Sequence, residues 1–341
     1  MSRTRLGFLG LALAVALVTA SCGGGDEPAL DTGRDTTTTA KAKPAPRFDP
    51  GTTMDAIQKR GKLRVGTKYD QPLFGLKNPV TNQVEGFDVE IAKLIAVGIF
   101  GGTTESAGDK LELIEAVSKN REPFIQEGKV DIVVATYTIN DARKQVVDFA
   151  GPYLVADQDI MVRADDTTIK GANDLNGKKV CSATGSTSIK NIQAKAPRAD
   201  VSVSFDRYSL CAAALEDRRV DAVSTDDAIL AGLVNDNPGK FKLVGADLSD
   251  EPYGIGLKKG DDAFRNFLND RLEEIFESGE WEEAWRATVG KVLTDVPEPP
   301  QVDRYTPAPA GAAGASSSSS TSSTGRSTSS TSRSTTSTTV S

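Results

Sequence analysis

The chain has 341 residues, of which 38% are hydrophobic and 26% are charged, and its formal net charge is −7. A negative chain without a basic stripe argues against nucleic acid as a partner. The sequence contains no histidine, which excludes Ser-His-Asp and Cys-His catalysis and every imidazole metal site. No metal or other cofactor is predicted.

The N-terminus has the pattern of an export signal. Two arginines precede an apolar run over residues 6–20, which is too short for a comfortable membrane span. Residues 1–21 are therefore predicted to be a signal peptide. The small residues before Cys22 resemble a bacterial lipobox, whose cysteine becomes lipidated after cleavage, although Thr19 stands where leucine is usual. Ordinary cleavage beside an uninvolved cysteine is the alternative. We expect an extracytoplasmic lipoprotein anchored to the cell membrane.

Two further cysteines, Cys181 and Cys211, lie within the same stretch of chain. An even number of remaining cysteines in an exported protein predicts a disulfide. Two buried free thiols are the alternative. A bridge would close a loop of about 30 residues and stiffen a single lobe.

Both ends of the chain are predicted to lack a core of their own. Residues 22–50 are rich in Gly, Thr, Pro and Ala without apolar periodicity, which indicates a flexible linker behind the lipidated cysteine. Residues 297–341 are Pro- and Ala-rich and then almost purely Ser and Thr, which indicates a disordered tail.

Strands and helices alternate between these ends. Predicted strands cover residues 63–67, 111–117, 130–135, 177–181, 201–205, 220–224 and 253–257. Predicted helices begin at Asp88, which is expected to cap the first, and cover residues 123–127, 209–217, 228–234 and 262–292. This alternation predicts a mostly parallel α/β sheet. Because the pattern restarts after Tyr153, two lobes in series are expected.

Residues 133–153 combine the features of a carboxylate site. An apolar run ends in a turn of small residues, and a short helical segment that carries Arg143 follows. Backbone N–H groups at a helix start attract anions, and a guanidinium can bind both carboxylate oxygens. The stretch therefore predicts a site for a ligand carboxylate.

Residues 86–99 carry a specific resemblance to a known family. Their sequence, GFDVEIAKLIAVGI, resembles the signature of the polar amino-acid family (family 3) of bacterial extracellular solute-binding proteins. The resemblance covers about residues 54–295. Within the family, the chain resembles the glutamate- and glutamine-binding lipoproteins of ABC importers. It implies an α/β fold, a two-lobed periplasmic-binding-protein-like (type II) clamshell with two crossover segments. The implied lobes are residues 51–155 plus 252–296 and residues 156–251. The signature helix is mainly structural in the family, so its acidic residues are not site candidates.

The resemblance also implies contacts with an amino-acid ligand. Arg143, the backbone N–H and hydroxyl of Thr138, and the backbone N–H of Thr187 match groups that bind the α-carboxylate. Thr136 and Asp226 match the partners of the α-ammonium. The chemistry is consistent, because a zwitterion stripped of water needs donors at one end and an anion at the other. The alternatives are a plain helix N-cap for Asp226 and a solvated helix charge for Arg143.

Selectivity should depend on the residues that face the ligand side chain. Lys68 falls where glutamate/aspartate-binding relatives are cationic, and Ser118 and Arg121 match their serine-x-x-arginine, which reaches a side-chain carboxylate. Two cations facing a neutral side chain would leave buried charge uncompensated, so an acidic ligand is predicted. Surface charge is the alternative. Tyr208 departs from the family pattern, since those relatives carry a histidine there.

These features together predict a binding protein and no enzymatic activity. The expected function is capture of glutamate, with aspartate as the alternative ligand, by a monomer that delivers it to the permease of an ABC importer. An amino-acid sensor for a membrane signalling partner is a second hypothesis. A cyclohexadienyl dehydratase-like enzyme is a third, because similar two-lobed folds include such enzymes; it would require a positioned acid and base in the pocket.

Overall fold

The computed structural model describes residues 42–305, so the predicted signal peptide, Cys22 and most of the Ser/Thr tail lie outside the described residues. Within this range the chain forms ten α-helices and twelve β-strands. The helices are α1 (Thr53–Arg60), α2 (Phe87–Phe100), α3 (Thr104–Gly108), α4 (Arg121–Gln126), α5 (Asp141–Lys144), α6 (Ser188–Lys195), α7 (Tyr208–Glu216), α8 (Asp227–Asp236), α9 (Asp262–Ser278) and α10 (Glu280–Ala287). The strands are β1 (Leu63–Thr67), β2 (Asp70–Gln71), β3 (Gly75–Lys77), β4 (Val84–Glu85), β5 (Leu111–Glu115), β6 (Ile132–Val133), β7 (Asp148–Arg163), β8 (Val180–Ala183), β9 (Ser204–Phe205), β10 (Ala222–Asp226), β11 (Phe241–Leu243) and β12 (Asp250–Leu257). None of the helices in this part of the chain is both long and apolar enough to cross a bilayer.

The principal sheet has the order β5-β1-β6-β12-β7-β10-β8-β9, with β11 paired to β7. Strands β5, β1 and β6 are mutually parallel and form the first lobe, and β10, β8 and β9 are mutually parallel and form the second. Strands β7 and β12 run antiparallel to each other through the middle and join the two lobes. The predicted two-lobed α/β architecture with two crossover segments is confirmed.

The crossovers are two paired strands. Val155 and Pro252, near which the chain was expected to leave and re-enter the first lobe, are register partners. Strand β7 spans 16 residues, and its register against β12 shifts between Ala150 and Leu154. Gly151-Pro152 lies within this shift, and proline donates no ladder hydrogen bond. We propose that the lobe boundaries lie at this register pair.

Helix α2 supplies much of the core of the first lobe. Its predicted apolar face is buried, but Gly86, and not Asp88, occupies the N-cap position. A Cβ at Gly86 would lie 2.4 Å from the Phe74 backbone, so only glycine fits there. Asp88 is buried in the first turn of α2, where its carboxylate accepts bonds from the Thr136 N–H (2.9 Å) and the Tyr153 O–H (2.6 Å). Aspartate is favourable both at the N-cap and in the first turn of a helix, so the sequence pattern does not separate these two positions.

Aromatic residues close the other side of α2. Trp281 and Trp285 are both buried and stack at 5.6 Å with an interplanar angle of 13°. Phe87 meets each of them edge to face, also at 5.6 Å. The two tryptophans are four residues apart on α10, and the face that they share packs in the core.

The end of the predicted N-terminal linker packs against the first lobe. Lys43 pairs with Gly102 through two backbone hydrogen bonds of 2.9 and 2.7 Å. Phe48 meets Phe267 edge to face at 5.5 Å. Residues 43–48 therefore contact the first lobe, within the stretch predicted to be a flexible linker, because a low average hydrophobicity does not reveal single side chains that find partners far along the chain.

The predicted C-terminal tail also begins later than residue 297. The Tyr305 hydroxyl accepts a bond from the Phe149 N–H at 2.9 Å. Arg304 forms ion pairs with Asp270 (2.7 Å) and Glu273 (2.7 Å) on α9. Residues 304 and 305, within the predicted tail, therefore contact the first lobe near the start of β7.

The predicted disulfide is confirmed. Cys181 on β8 and Cys211 on α7 are bonded, with their Cα atoms 5.6 Å apart. Both lie in the second lobe, so the bridge fastens a helix to the sheet within one lobe.

Removing this bridge should destabilise the protein without altering the site directly. In C181A/C211A the bridge no longer restrains a loop of 30 residues in the unfolded chain. We expect the free energy of unfolding to fall by about 3 kcal/mol, measured by urea denaturation. Wild-type protein unfolded under reducing conditions is the control and should show the same loss. A change below about 0.5 kcal/mol, the size typical of neutral surface substitutions, would contradict the expectation.

Candidate ligand-binding site

A narrow cavity of about 10 Å³ lies between the lobes, and polar side chains from both lobes converge on it. Its lining from the first lobe is Ser118, Arg121, Thr136 and Thr138; from the second it is Ser186, Thr187, Ser188, Tyr208, Asp226 and Ile229. Six of the eight predicted ligand-binding residues are therefore in the lining. The other two, Lys68 and Arg143, adjoin it through hydrogen bonds to Ser118 and Thr138.

The strand topology explains why residues so far apart in sequence meet here. Lys68, Ser118 and Thr136 each follow a parallel strand of the first lobe, namely β1, β5 and β6. Asp226 ends β10 and Thr187 follows β8 in the second lobe. Carboxyl ends of parallel strands collect at one edge of a sheet, which is where ligands of α/β proteins bind. The two edges face each other across the cavity.

Lys68 is a buried cation with a single side-chain partner. It is 2% exposed, and its Nζ donates to Ser118 Oγ at 2.7 Å. Burial, followed by the positive charge of Arg121, lowers the pKa of Lys68 from its ordinary 10.5 to about 7. Within residues 42–305, neither Lys68 nor Arg121 has a carboxylate oxygen within 4.0 Å. Neither of these two buried basic side chains therefore forms a direct ion pair with an acid in the described part of the chain.

Arg121 is anchored by the backbone of the first lobe. Its Nη1 donates to the carbonyl oxygens of Ala135 (3.0 Å) and Thr136 (3.1 Å). The guanidinium lies over the ring of Tyr137, 4.3 Å from its centre. Because these contacts fix the plane of the guanidinium, its remaining donors have a defined direction for a ligand.

Arg143 lies at the edge of the cavity and is not a solvated helix charge, since it is 7% exposed. Its guanidinium donates to the carbonyls of Thr138 (2.7 Å) and Gly185 (3.3 Å) and pairs with Glu122 (3.2 Å). Burial, followed by Arg121, lowers the pKa of Arg143 to about 10. Helix α5 has a single turn, and its Arg143 amide donates to the Asn140 side chain at 2.9 Å. That amide of the helix start is therefore already used, and the guanidinium remains as the group for an anion.

Thr136 is held in an unusual backbone conformation. Its φ is +44°, a region that β-branched residues rarely adopt. Its amide donates to Asp88 (2.9 Å), its hydroxyl to Gln71 (2.9 Å), and its carbonyl accepts from Arg121. The carbonyl has a second lone pair, so it can still accept a bond from an ammonium group. Burial raises the pKa of Asp88 to about 7.

Asp226 precedes α8 but does not act as its cap. Among the described residues its carboxylate caps no backbone amide of the helix. It is 4% exposed and accepts a bond from the Tyr253 hydroxyl at 2.5 Å. Burial, followed by the negative charge of Glu251, raises the pKa of Asp226 to about 7. A desolvated anion in the lining is the group that an ammonium ion would stabilise.

Glu251 is a buried residue of the site that the sequence did not reveal. It is 1% exposed on crossover strand β12, where no motif marks it. Its Oε2 accepts bonds from the hydroxyls of Thr138 (2.6 Å) and Thr187 (2.8 Å). Its Oε1 accepts from Asn191 (2.9 Å) and Ser249 (2.9 Å). One carboxylate thus connects two predicted ligand-binding residues of opposite lobes.

Tyr208, where the family pattern has a histidine, also lines the cavity. Its hydroxyl lies 3.4 Å from Ser188 Oγ. A phenol can donate or accept a hydrogen bond, so this position keeps a polar group facing the cavity.

Comparison with known proteins agrees with this geometry. Residues 63–288 match the model of bacterial extracellular solute-binding proteins, family 3. The chain is 40% identical over 235 residues to the ABC transporter glutamine-binding protein GlnH of Bacillus subtilis (strain 168), which covers 69% of this chain and 83% of that one. It is 38% identical over 248 residues to the glutamate-binding protein GluB of Corynebacterium glutamicum, which covers 69% and 81%. An ancestral arginine-binding protein bound to glutamine superimposes with a TM-score of 0.62 at 38% identity and covers 68% of this chain and 99% of that one. The chain therefore belongs to family 3 of the bacterial extracellular solute-binding proteins.

Proposed function

We propose that this protein is an extracytoplasmic receptor that captures glutamate, with aspartate as a second ligand, and delivers it to an ABC importer. Two relatives support this reading: the Bacillus subtilis protein is named as the glutamine-binding protein of an ABC transporter, and the Corynebacterium glutamicum protein as glutamate-binding. No covalent chemistry is part of the proposal.

The observation that carries the choice of glutamate is the pair of buried cations. Lys68 and Arg121 lie beside Ser118 at the cavity, and neither has a carboxylate partner among residues 42–305. Burying an unpaired charge costs several kcal/mol. A ligand with a side-chain carboxylate would neutralise this charge, whereas an amide would leave both cations uncompensated.

The proposed contacts at the other end of the ligand are those of a zwitterion. Arg143, with the backbone groups of Thr138 and Thr187, would bind the α-carboxylate. Asp226 and the Thr136 carbonyl would bind the α-ammonium. Because these groups belong to both lobes, a bound amino acid would favour the closed arrangement over an open one.

Attachment to the membrane through lipidated Cys22 is also proposed. Residues 43–48 pack on the first lobe, so a linker from Cys22 would reach the protein on that lobe. A shift of the mature protein to the detergent phase, abolished by Cys22→Ala, would test the anchor.

Titration calorimetry of the purified protein against all twenty amino acids tests the ligand. We expect glutamate to bind with a dissociation constant near the micromolar range, which corresponds to a binding free energy of about −8 kcal/mol. Glutamine should bind more weakly. Tighter binding of glutamine than of glutamate would overturn the role of the two cations. Loss of glutamate uptake when the gene is deleted would support import, and unchanged uptake would favour a sensor.

Proton uptake should distinguish glutamate from glutamine. In the empty site the pKa of Lys68 is about 7, so near pH 8 the amine is mostly neutral. A ligand carboxylate raises this pKa, and the amine takes up a proton on binding. We expect the protein to take up more protons when it binds glutamate than when it binds glutamine, by up to about one. The affinity for glutamate relative to glutamine should therefore fall as pH rises above 7.

Binding enthalpies in buffers of different ionisation enthalpy measure this difference. Any proton released by Asp226 is common to both ligands and cancels in the comparison. Lys68→Gln is the control and should remove the difference. Equal proton counts for the two ligands in the wild-type protein would contradict the prediction.

A further inference from the structure

Glu251 lies between the two lobes, so opening of the lobes would break some of its hydrogen bonds. It lies on crossover strand β12, and its register partner on β7 is Ala156. Thr138, which donates to its carboxylate, belongs to the first lobe, and Thr187, which donates to the same oxygen, belongs to the second. The two hydroxyls can share this oxygen only while the lobes are together.

The same two bonds restrict how the threonines can meet a ligand. A hydroxyl has a single proton to donate. While the protons of Thr138 and Thr187 point to Glu251, neither hydroxyl can donate to a ligand carboxylate. The α-carboxylate must then be bound by backbone N–H groups of these residues and by the guanidinium of Arg143.

We propose that Glu251 is a positioning residue that orients Thr138 and Thr187 for the ligand and holds the lobes closed through its shared carboxylate oxygen. This Glu251 clasp, defined as Glu251 with those two hydroxyls, rests on the proposed function, because it assigns the α-carboxylate to amides and Arg143. Bonds from Asn191 and Ser249 to the other oxygen keep the carboxylate in place when one hydroxyl leaves.

The charge of Glu251 provides a second, independent signature. Asp226 faces Glu251 and Tyr253 on β12, Asp227 on α8 and Arg121 on α4. Glu251 and Asp227 raise the pKa of Asp226, whereas Tyr253 and Arg121 lower it. Neutralising Glu251 should therefore lower the pKa of Asp226.

The sign of the pH effect follows from the role of Asp226. Its carboxylate must be ionised to pair with the ligand ammonium, so affinity is lost as pH falls through its pKa, about 7 in the empty site. A lower pKa moves this loss to lower pH. Replacing a residue with a purely structural role would change the affinity without moving the pH at which half of the affinity is lost.

Glu251→Gln is the central test, and Asp250→Asn, an exposed neighbour on the same strand, is its matched control. We expect Glu251→Gln to weaken glutamate binding about tenfold or more, through faster dissociation, because charge-assisted bonds of the closed state are lost. The acid midpoint of affinity should move to lower pH. Asp250→Asn should keep the wild-type affinity and midpoint. Wild-type affinity and midpoint in Glu251→Gln would overturn the proposal.

A second pair of variants keeps the test valid if Glu251→Gln folds poorly. Thr187→Ser retains the hydroxyl of the clasp, whereas Thr187→Val lacks it, so glutamate should dissociate faster from Thr187→Val than from Thr187→Ser. Equal dissociation rates of the two variants would also overturn the proposal.

Failure of the clasp can be told apart from failure of the proposed function. If the wild type binds another amino acid in place of glutamate, the same comparisons are made with that ligand. If it binds none, spin labels at E127C and K195C, exposed positions on opposite lobes, report the ligand-free protein. A longer or broader distance in Glu251→Gln than in the wild type supports the clasp, and an unchanged distance overturns it.

Discussion

Replacing Asp226 by asparagine is expected to weaken the binding of every amino-acid ligand by about a hundredfold or more. The carboxylate is 4% exposed in the cavity lining, and removing one partner of a buried ion pair costs about 3–5 kcal/mol. The amide still accepts the bond from Tyr253, so the local structure should persist. Calorimetric titration of wild type and variant with glutamate and its best competitor measures the loss.

The matched control is Asp227→Asn. Asp227 is the next residue in the chain but does not line the cavity; its carboxylate accepts from the Asp157 N–H at 3.2 Å. This control should bind nearly as tightly as the wild type. Without ligand, Asp226→Asn should be at least as stable as the wild type, because burial raises the pKa of Asp226 and so penalises its ionised form. Binding within threefold of the wild type would refute the assignment of Asp226 to the ammonium.

Replacing Lys68 by glutamine is expected to reduce or reverse the preference for glutamate over glutamine. Lys68 makes one side-chain hydrogen bond, to Ser118, whereas Arg121 donates to three backbone carbonyls that help to shape the site. Lys68 is therefore the cleaner substitution. We expect glutamate affinity to fall by about 30-fold, equivalent to about 2 kcal/mol for a lost charge-assisted bond, and glutamine affinity to change less.

The neighbouring cation Lys119 supplies the control for this substitution. Lys119 is half-exposed in an ion pair with Asp206, and such surface pairs contribute at most about 1 kcal/mol. Lys119→Gln should keep the preference for glutamate. If Lys68→Gln binds both ligands as the wild type does, Lys68 does not face the ligand side chain.

Lys68→Gln should also stabilise the empty protein. The pKa of Lys68 is about 7 when folded and 10.5 ordinarily. Between these pKa values the unfolded chain binds the proton that the folded protein releases, so the free energy of unfolding rises with pH across this window. Below pH 7 Lys68 is protonated in both states, and the full cost of burying its charge destabilises the fold. The variant should lose this pH dependence and unfold at a higher temperature at pH 6. The gain would identify Lys68 as a residue kept for binding at the expense of stability.

Much of the site could be predicted because its residues follow strands. Lys68, Ser118 and Thr136 each come directly after an apolar segment whose period and length indicate a strand. Alternation with helices makes those strands parallel, and parallel strands bring their carboxyl ends together. The resemblance of residues 86–99 to a family signature then indicated which of these positions face an amino acid. The disulfide was also predictable, since only two cysteines remained to pair.

A prediction from the sequence was wrong where a local pattern has two structural solutions. Asp88 at a helix start looks like a cap, but its carboxylate turns inward to the Thr136 amide and the Tyr153 hydroxyl. Both of these partners are more than 45 residues away along the chain, and no local propensity describes them.

The sequence by itself determined the class of this protein: two α/β lobes, the residues at their strand ends, and an excess of cations where a ligand side chain is expected. Only the tertiary structure decided the hydrogen bonding between those residues. It showed that Glu251 accepts bonds from both threonine hydroxyls and that the Asp226 carboxylate lines the cavity and does not cap its helix. The physical reason is that strand order follows from short-range pattern, whereas the direction of a polar side chain is chosen by whichever buried donors and acceptors folding brings within about 3 Å.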